Sequence, residues 1–303
     1  MKQILLDAHK HAQNWLGQGT PATFIPELTK QNPNQLGIAI TTCDGQRLCI
    51  GDCTEKFTMQ SISKLILLAV ALNDSGFDTV FSRVGMEPSG DRFNSIYRLE
   101  LMTKKPSNPM INAGAIAVSG CITGTQEERI EKVLSIACKC MGVPSIERDG
   151  LVFRCEVETG HRNRALAHMM RDNGVLDSRL EEHLELYYHA CSMLVDCEML
   201  SHFGSLLANN GTLPGSQEEI LSPDTARLMR TLMATCGLYD RSGEFAWQVG
   251  IPAKSGSSGG IMAAAPGKVG IGTFSPLLDH AGNSICGVKA LEYLATALSL
   301  RVY

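Results

Sequence analysis

Met59-Gln60-Ser61-Ile62-Ser63-Lys64 runs directly into the apolar stretch Leu65 to Leu72. Short alternating runs come before it, so these six residues sit where strands give way to a helix. Residues three apart share one face of a helix, which puts the Ser61 hydroxyl within reach of the Lys64 amine. A helix N-terminus has free N–H groups and a dipole that favour developing negative charge. A lysine with its pKa lowered by burial can take a serine proton there. Alone the pair says little, because a Ser-x-x-Lys arises by chance about once in a chain of this size, and a helix cap followed by a surface lysine is the better reading of it. A second feature gives it weight. Lys254-Ser255-Gly256 falls late in the chain on a predicted strand amid glycines, and a strand beside a nucleophile can supply a backbone N–H to an anionic oxygen.

The remaining pattern builds outward from these two motifs. The N-terminus to about Leu16 reads as helix, and Leu36 to Ile50 reads as a β-hairpin turning at Asp44-Gly45. From Ser61 to about Leu232 the chain is helix-rich, with a capping box at Thr125-x-x-Glu128 and a stop at Gly142. Beyond Tyr239 the pattern returns to short apolar runs, Phe245 to Val249, Lys254 to Ser257, Ile261 to Ala264 and Val269 to Phe274. A helix carrying Val288, Leu291, Ala295 and Leu298 closes the chain. The predicted fold class is therefore α+β: an antiparallel sheet flanked by terminal helices, with a large inserted helical domain. Residues 1–75 and 225–303 are expected to form a discontinuous sheet-bearing domain and 76–224 the insert, with the active site in the cleft between them.

Composition excludes several classes of function. A formal net charge of −4 with mixed signs gives no basic stripe for phosphates, so nucleic acid is not an expected partner. The start of the chain breaks its apolar run after three residues, and no uninterrupted apolar stretch approaches the roughly 20 residues of a membrane span. We expect a cytoplasmic protein that does not enter membranes. Eleven cysteines, odd in number and irregular in spacing, read as reduced thiols rather than disulfides or a zinc site. No metal and no cofactor are expected.

Ser-x-x-Lys at a helix start with a late Lys-Ser/Thr-Gly on a strand is the paired signature of the serine β-lactamase/DD-peptidase-like fold. The chain resembles one family on that fold more closely, the serine-dependent glutaminases. The resemblance rests on Phe24-Ile25-Pro26-Glu27-Leu28, Gln60-Ser61-Ile62-Ser63-Lys64, Pro88-Ser89-Gly90, Phe93-Asn94-Ser95, Asn112-Ala113-Gly114-Ala115-Ile116, Arg162-Asn163-Arg164-Ala165, Tyr187 with Cys191-Ser192, Cys236-Gly237-Leu238-Tyr239-Asp240, Ser242-Gly243-Glu244-Phe245-Ala246 and Phe274-Ser275-Pro276. It implies hydrolysis of L-glutamine through a Ser61 acyl-enzyme, with Lys64 as base, and a homodimer or homotetramer. By the same resemblance Asn112, Glu156, Asn163 and Tyr187 hold the amino-acid end of the substrate. Tyr239 shuttles a proton with a lowered pKa, Lys254 supplies positive potential and orients it, and the Ser61 and Ser257 N–H groups form the oxyanion hole. Without the resemblance, each of those substrate contacts reads better as a turn, surface or packing residue.

Two departures from the family pattern stand out. Phe24 replaces a tyrosine, and Ser257-Ser258 replaces Val-Gly, with Ser258 expected to restrict φ where glycine would not. They keep two competitors in view: a β-lactam- or peptide-recognising hydrolase on the same fold, and a catalytically weak protein that binds glutamine or glutamate. The departures predict slow turnover or altered preference, to be relieved together by Phe24→Tyr, Ser257→Val and Ser258→Gly.

Overall fold

The computed structural model describes residues 1–89, 95 and 104–303. Gly90 and Phe93-Asn94, parts of two of the quoted blocks, lie outside the described residues. Helix α1 (Lys2–Ala12) is followed by the hairpin β1 (Gly37–Thr42) and β2 (Arg47–Gly51), then by the two-residue strand β3 (Phe57–Thr58). A 3-10 turn, Gln60–Ser63, leads into α2 (Lys64–Arg83), which kinks at Gly76. Then come α3 (Asn112–Ser119), α4 (Gln126–Met141), α5 (Gly150–Thr159), α6 (His161–Asp172) and α7 (Leu180–Cys191). Strand β4 (Leu194–Val195) pairs with β3, and α8 (Cys197–Ala208) and α9 (Pro223–Cys236) follow. The chain ends with α10 (Ser242–Gln248), β5 (Ala253–Ser255), β6 (Gly260–Ala265), β7 (Val269–Phe274) and α11 (Ile285–Ala297).

The five long strands form one antiparallel sheet in the order β2-β1-β7-β6-β5. Successive side chains on a strand point to opposite faces, and here both faces are covered. Ile38, Ile40, Ala263, Ala265 and Ile271 pack with Leu5, Leu291 and Leu294 of the terminal helices. Ala39, Met262, Ala264 and Phe274 belong instead to the large core shared with α2, α3, α7 and α8. Because α8 lies flat against β1, β6 and β7, helix and sheet share a single apolar interior on that side. This is the α+β architecture expected, with terminal helices on one face and the helical block on the other.

Helix α4 carries the full capping box, Thr125 accepting from the Glu128 N–H while Glu128 accepts from the Thr125 N–H, and ends on left-handed Gly142. One predicted element is wrong. Phe245 to Val249 is not a strand; Phe245 lies in α10 and Val249 caps it, so the two buried side chains four apart sit on one helical face. Leu65 to Ala71 are all buried, so the apolar length of Gln60–Arg83, sufficient in itself for a membrane span, begins as a core helix.

Candidate active site

The 3-10 turn before α2 presents Ser61 beside Lys64, whose Nζ lies 3.1 Å from the Ser61 Oγ. The Lys64 side chain is wholly enclosed, and burial, only partly opposed by Cys191 and Glu156, pulls its amine down to about 8. Asn112, the first residue of α3, fixes that amine from the other side: its Oδ1 accepts from Lys64 Nζ at 2.8 Å and from the Tyr187 hydroxyl at 3.2 Å. With its oxygen so held, the amide nitrogen of Asn112 donates to Asn163 Oδ1 at 3.0 Å. The order of the network follows from the donor inventory: an amide oxygen only accepts, so it turns to the amine and the phenol.

The opposite wall is built by β5 and the loop after it. Gly256 lies so close to the Met59 carbonyl that a Cβ there would collide with it, which is why strand end and nucleophile turn can touch. Lys254 Nζ donates to the Gly237 and Ser255 carbonyls at 3.0 and 2.7 Å. Burial and the neighbouring Lys64 hold it well below the ordinary lysine value. It sits 4.3 Å from the centre of the Tyr239 ring. The Tyr239 hydroxyl donates to the Ser255 carbonyl at 3.3 Å and interacts with the Ser61 side chain. Tyr239 occupies a left-handed backbone position at φ +58°, as does Gln60 at +48°, conformations that cost a non-glycine residue about 1–2 kcal/mol.

Between these walls is a cavity of about 210 Å³ lined by Ser61, Gln60, Asn112, Glu156, Asn163, Tyr187, Tyr239 and Ser257, with Phe24 at its edge. Burial pushes the Glu156 carboxyl up to about 7 against the opposing pulls of Gln60 and Lys64. Every site residue named from the sequence except the two lysines lines this cavity; Lys64 stands behind Ser61 and Asn112 and Lys254 behind Tyr239.

Two expectations change. Burial raises the Tyr239 phenol to about 12 instead of lowering it, so the group holds its proton at neutral pH. Ser258 is not strained; the left-handed position in this turn is Gly259, at φ +101°. The hydroxyl of Ser258 is fully buried and meets no hydrogen-bond partner among the described residues. Ser257 is placed quite differently, its Oγ 3.1 Å from Gln60 Oε1. Gln60 itself carries no role in the sequence reading. Its Nε2 reaches Glu156 Oε1 at 2.9 Å and Thr58 Oγ1 at 3.3 Å, and the one local clue, adjacency to Ser61, does not disclose its left-handed backbone.

A hydroxyl–amine pair at a helix start, faced by a lysine-bearing strand end, marks a hydrolase of the serine β-lactamase-like fold. Comparison with known proteins narrows the class. The glutaminase family model matches residues 19–303. Glutaminase 2 of Clostridium perfringens (strain 13 / Type A) is 46% identical over 305 residues, covering 100% of both chains. Among solved structures, a probable glutaminase from Bacillus subtilis complexed with 6-diazo-5-oxo-L-norleucine superposes with a TM-score of 0.92 at 37% identity, covering 100% of this chain and 97% of that one. The glutamate form of Mglu superposes with a TM-score of 0.91 at 37% identity, covering 99% of this chain and 68% of that one. The chain belongs to the glutaminase family, and its activity is the hydrolysis of glutamine. That favours glutamine hydrolysis over the β-lactam- or peptide-recognising alternative.

Proposed function

We propose that the chain hydrolyses L-glutamine through an acyl-enzyme on Ser61. Neutral Lys64 accepts the Ser61 proton as Oγ bonds to the side-chain carboxamide carbon. The tetrahedral oxyanion is received by the main-chain N–H groups of Ser61 and Ser257. Tyr239, protonated at neutral pH, delivers a proton to the nitrogen as the C–N bond breaks and ammonia leaves, and the proton held by Lys64 restores the phenol. Water then attacks the ester, Lys64 takes its proton, and glutamate departs as Oγ is reprotonated. Glu156 opposes the substrate ammonium, while Asn112, Asn163 and Tyr187 complete the grip on its amino-acid end. Lys254 positions Tyr239.

The observation that carries this reading is the 3.1 Å contact between Ser61 Oγ and an amine held at about 8. The ligands named for two structural neighbours, 6-diazo-5-oxo-L-norleucine and glutamate, are an amino acid with an electrophilic δ-substituent and the product itself, and both support it. Mass spectrometry after treatment with the diazo-ketone should place the adduct on Ser61, and Ser61→Ala should abolish ammonia release while keeping the melting temperature. Wild-type ammonia release by that variant refutes the scheme.

We further propose that the cleft divides a sheet-bearing part, residues 1–75 and 225–303, from a helical insert, residues 76–224, and that the protein works in the cytoplasm as a homodimer or homotetramer. The eleven free thiols suit a reducing compartment. Light scattering of the purified protein reads the assembly.

A further inference from the structure

We infer that Ser257 is a positioning residue whose side-chain hydroxyl, distinct from its main-chain N–H, locks the Gln60 amide so that Gln60's nitrogen faces Glu156 and holds that carboxylate ready for the substrate ammonium. The inference rests on the proposed role of Glu156 and deepens it.

The wiring follows from what each group can donate. A carboxylate only accepts, so the atom of Gln60 beside Glu156 is its nitrogen, at 2.9 Å, with the second amide hydrogen directed to Thr58 Oγ1 at 3.3 Å. That leaves the amide oxygen needing a donor in a buried place, and the Ser257 hydroxyl supplies it at 3.1 Å. All three residues are buried around the same cavity. Ser257 belongs to the loop after β5 and Gln60 to the turn before α2, so the hydroxyl also ties the two cleft walls across 197 residues of sequence. The valine of the family pattern has no donor to offer at this place. What reads in the sequence as a defect is here a hydrogen bond.

Replacing Ser257 by Val, Ala or Thr keeps the main-chain N–H proposed for the oxyanion hole and varies only the side chain. Ser257→Val and Ser257→Ala should raise KM for glutamine roughly three- to tenfold, the range expected for one buried hydrogen bond, a larger factor than any accompanying change in kcat. Ser257→Thr, which retains the hydroxyl, should restore KM. An unchanged KM in Val and Ala, a loss confined to kcat, or a Thr variant as impaired as Val overturns the inference. Glu156→Gln, measured alongside, separates the two layers: a KM unmoved by that change removes the role of Glu156 itself, whereas a raised KM there with wild-type values at 257 removes only the positioning role of Ser257.

Discussion

Two lysines are buried in this molecule, one on each wall of the cleft, and the same physical force drives both amines below their ordinary value. Their partners differ. Lys64 touches the Ser61 hydroxyl and the Asn112 amide oxygen, whereas Lys254 spends its hydrogens on two main-chain carbonyls beneath the Tyr239 ring. Burial brings an amine's pKa down, and its neighbours decide whether it exchanges protons or holds a side chain in place. A lowered pKa alone does not tell the base from the positioning residue; geometry does.

The largest test removes the Lys64 amine. Lys64→Met should cost about 10⁴-fold or more in kcat, the scale seen when one member of a concerted group is deleted. The same variant should melt at a higher temperature at pH 7. The sign follows from the depressed value: the native state resists the charged amine, so the penalty is full below about pH 8 and vanishes above the ordinary lysine value. A Lys64→Met protein that melts at wild-type temperature or below would show that the amine is not a burden on the fold.

Next in size is Lys254→Met, expected to lower kcat roughly 10²- to 10³-fold, within the range for disturbing one proton-transfer partner. The pH profile sharpens the contrast. In wild type, kcat/KM should rise with pH through about 7 to 8, as Glu156 ionises and Lys64 loses its proton. Lys254→Met should keep that limb at the same pH and lower only its height. A limb that disappears in this variant would exchange the roles of the two lysines.

The smallest effect concerns the neighbour of Ser257. Ser258→Ala discards a buried hydroxyl that has no partner among the described residues, and should stabilise by up to about 1 kcal/mol with unchanged turnover, read by thermal or urea unfolding. This divides the pair of departures that the sequence presents as one: Ser257 is engaged, Ser258 is not.

Much of this was legible beforehand because it depends on local spacing. The Ser61 to Lys64 interval, the hairpin at Asp44-Gly45 and the capping box at Thr125 are set within a few residues, and the closing strands follow from alternation. What escaped depends on tertiary surroundings. Phe245 to Val249 carries apolar residues at an interval that suits a helix as well as a strand end, and only packing decides between them. The upward shift of Tyr239 comes from enclosure by segments far apart in sequence, and Gln60 acquires its partners from residues 96 and 197 positions away. The family resemblance named Glu156, Asn163 and Tyr187; no spacing in the chain would have grouped them.

The left-handed backbone at Gln60 and Tyr239 has a practical consequence for anyone engineering heat tolerance into this scaffold. Glycine at either place would relax a contorted main chain and win melting temperature on paper. It would also erase the two side chains that flank the reacting hydroxyl, so durability obtained there comes directly out of turnover.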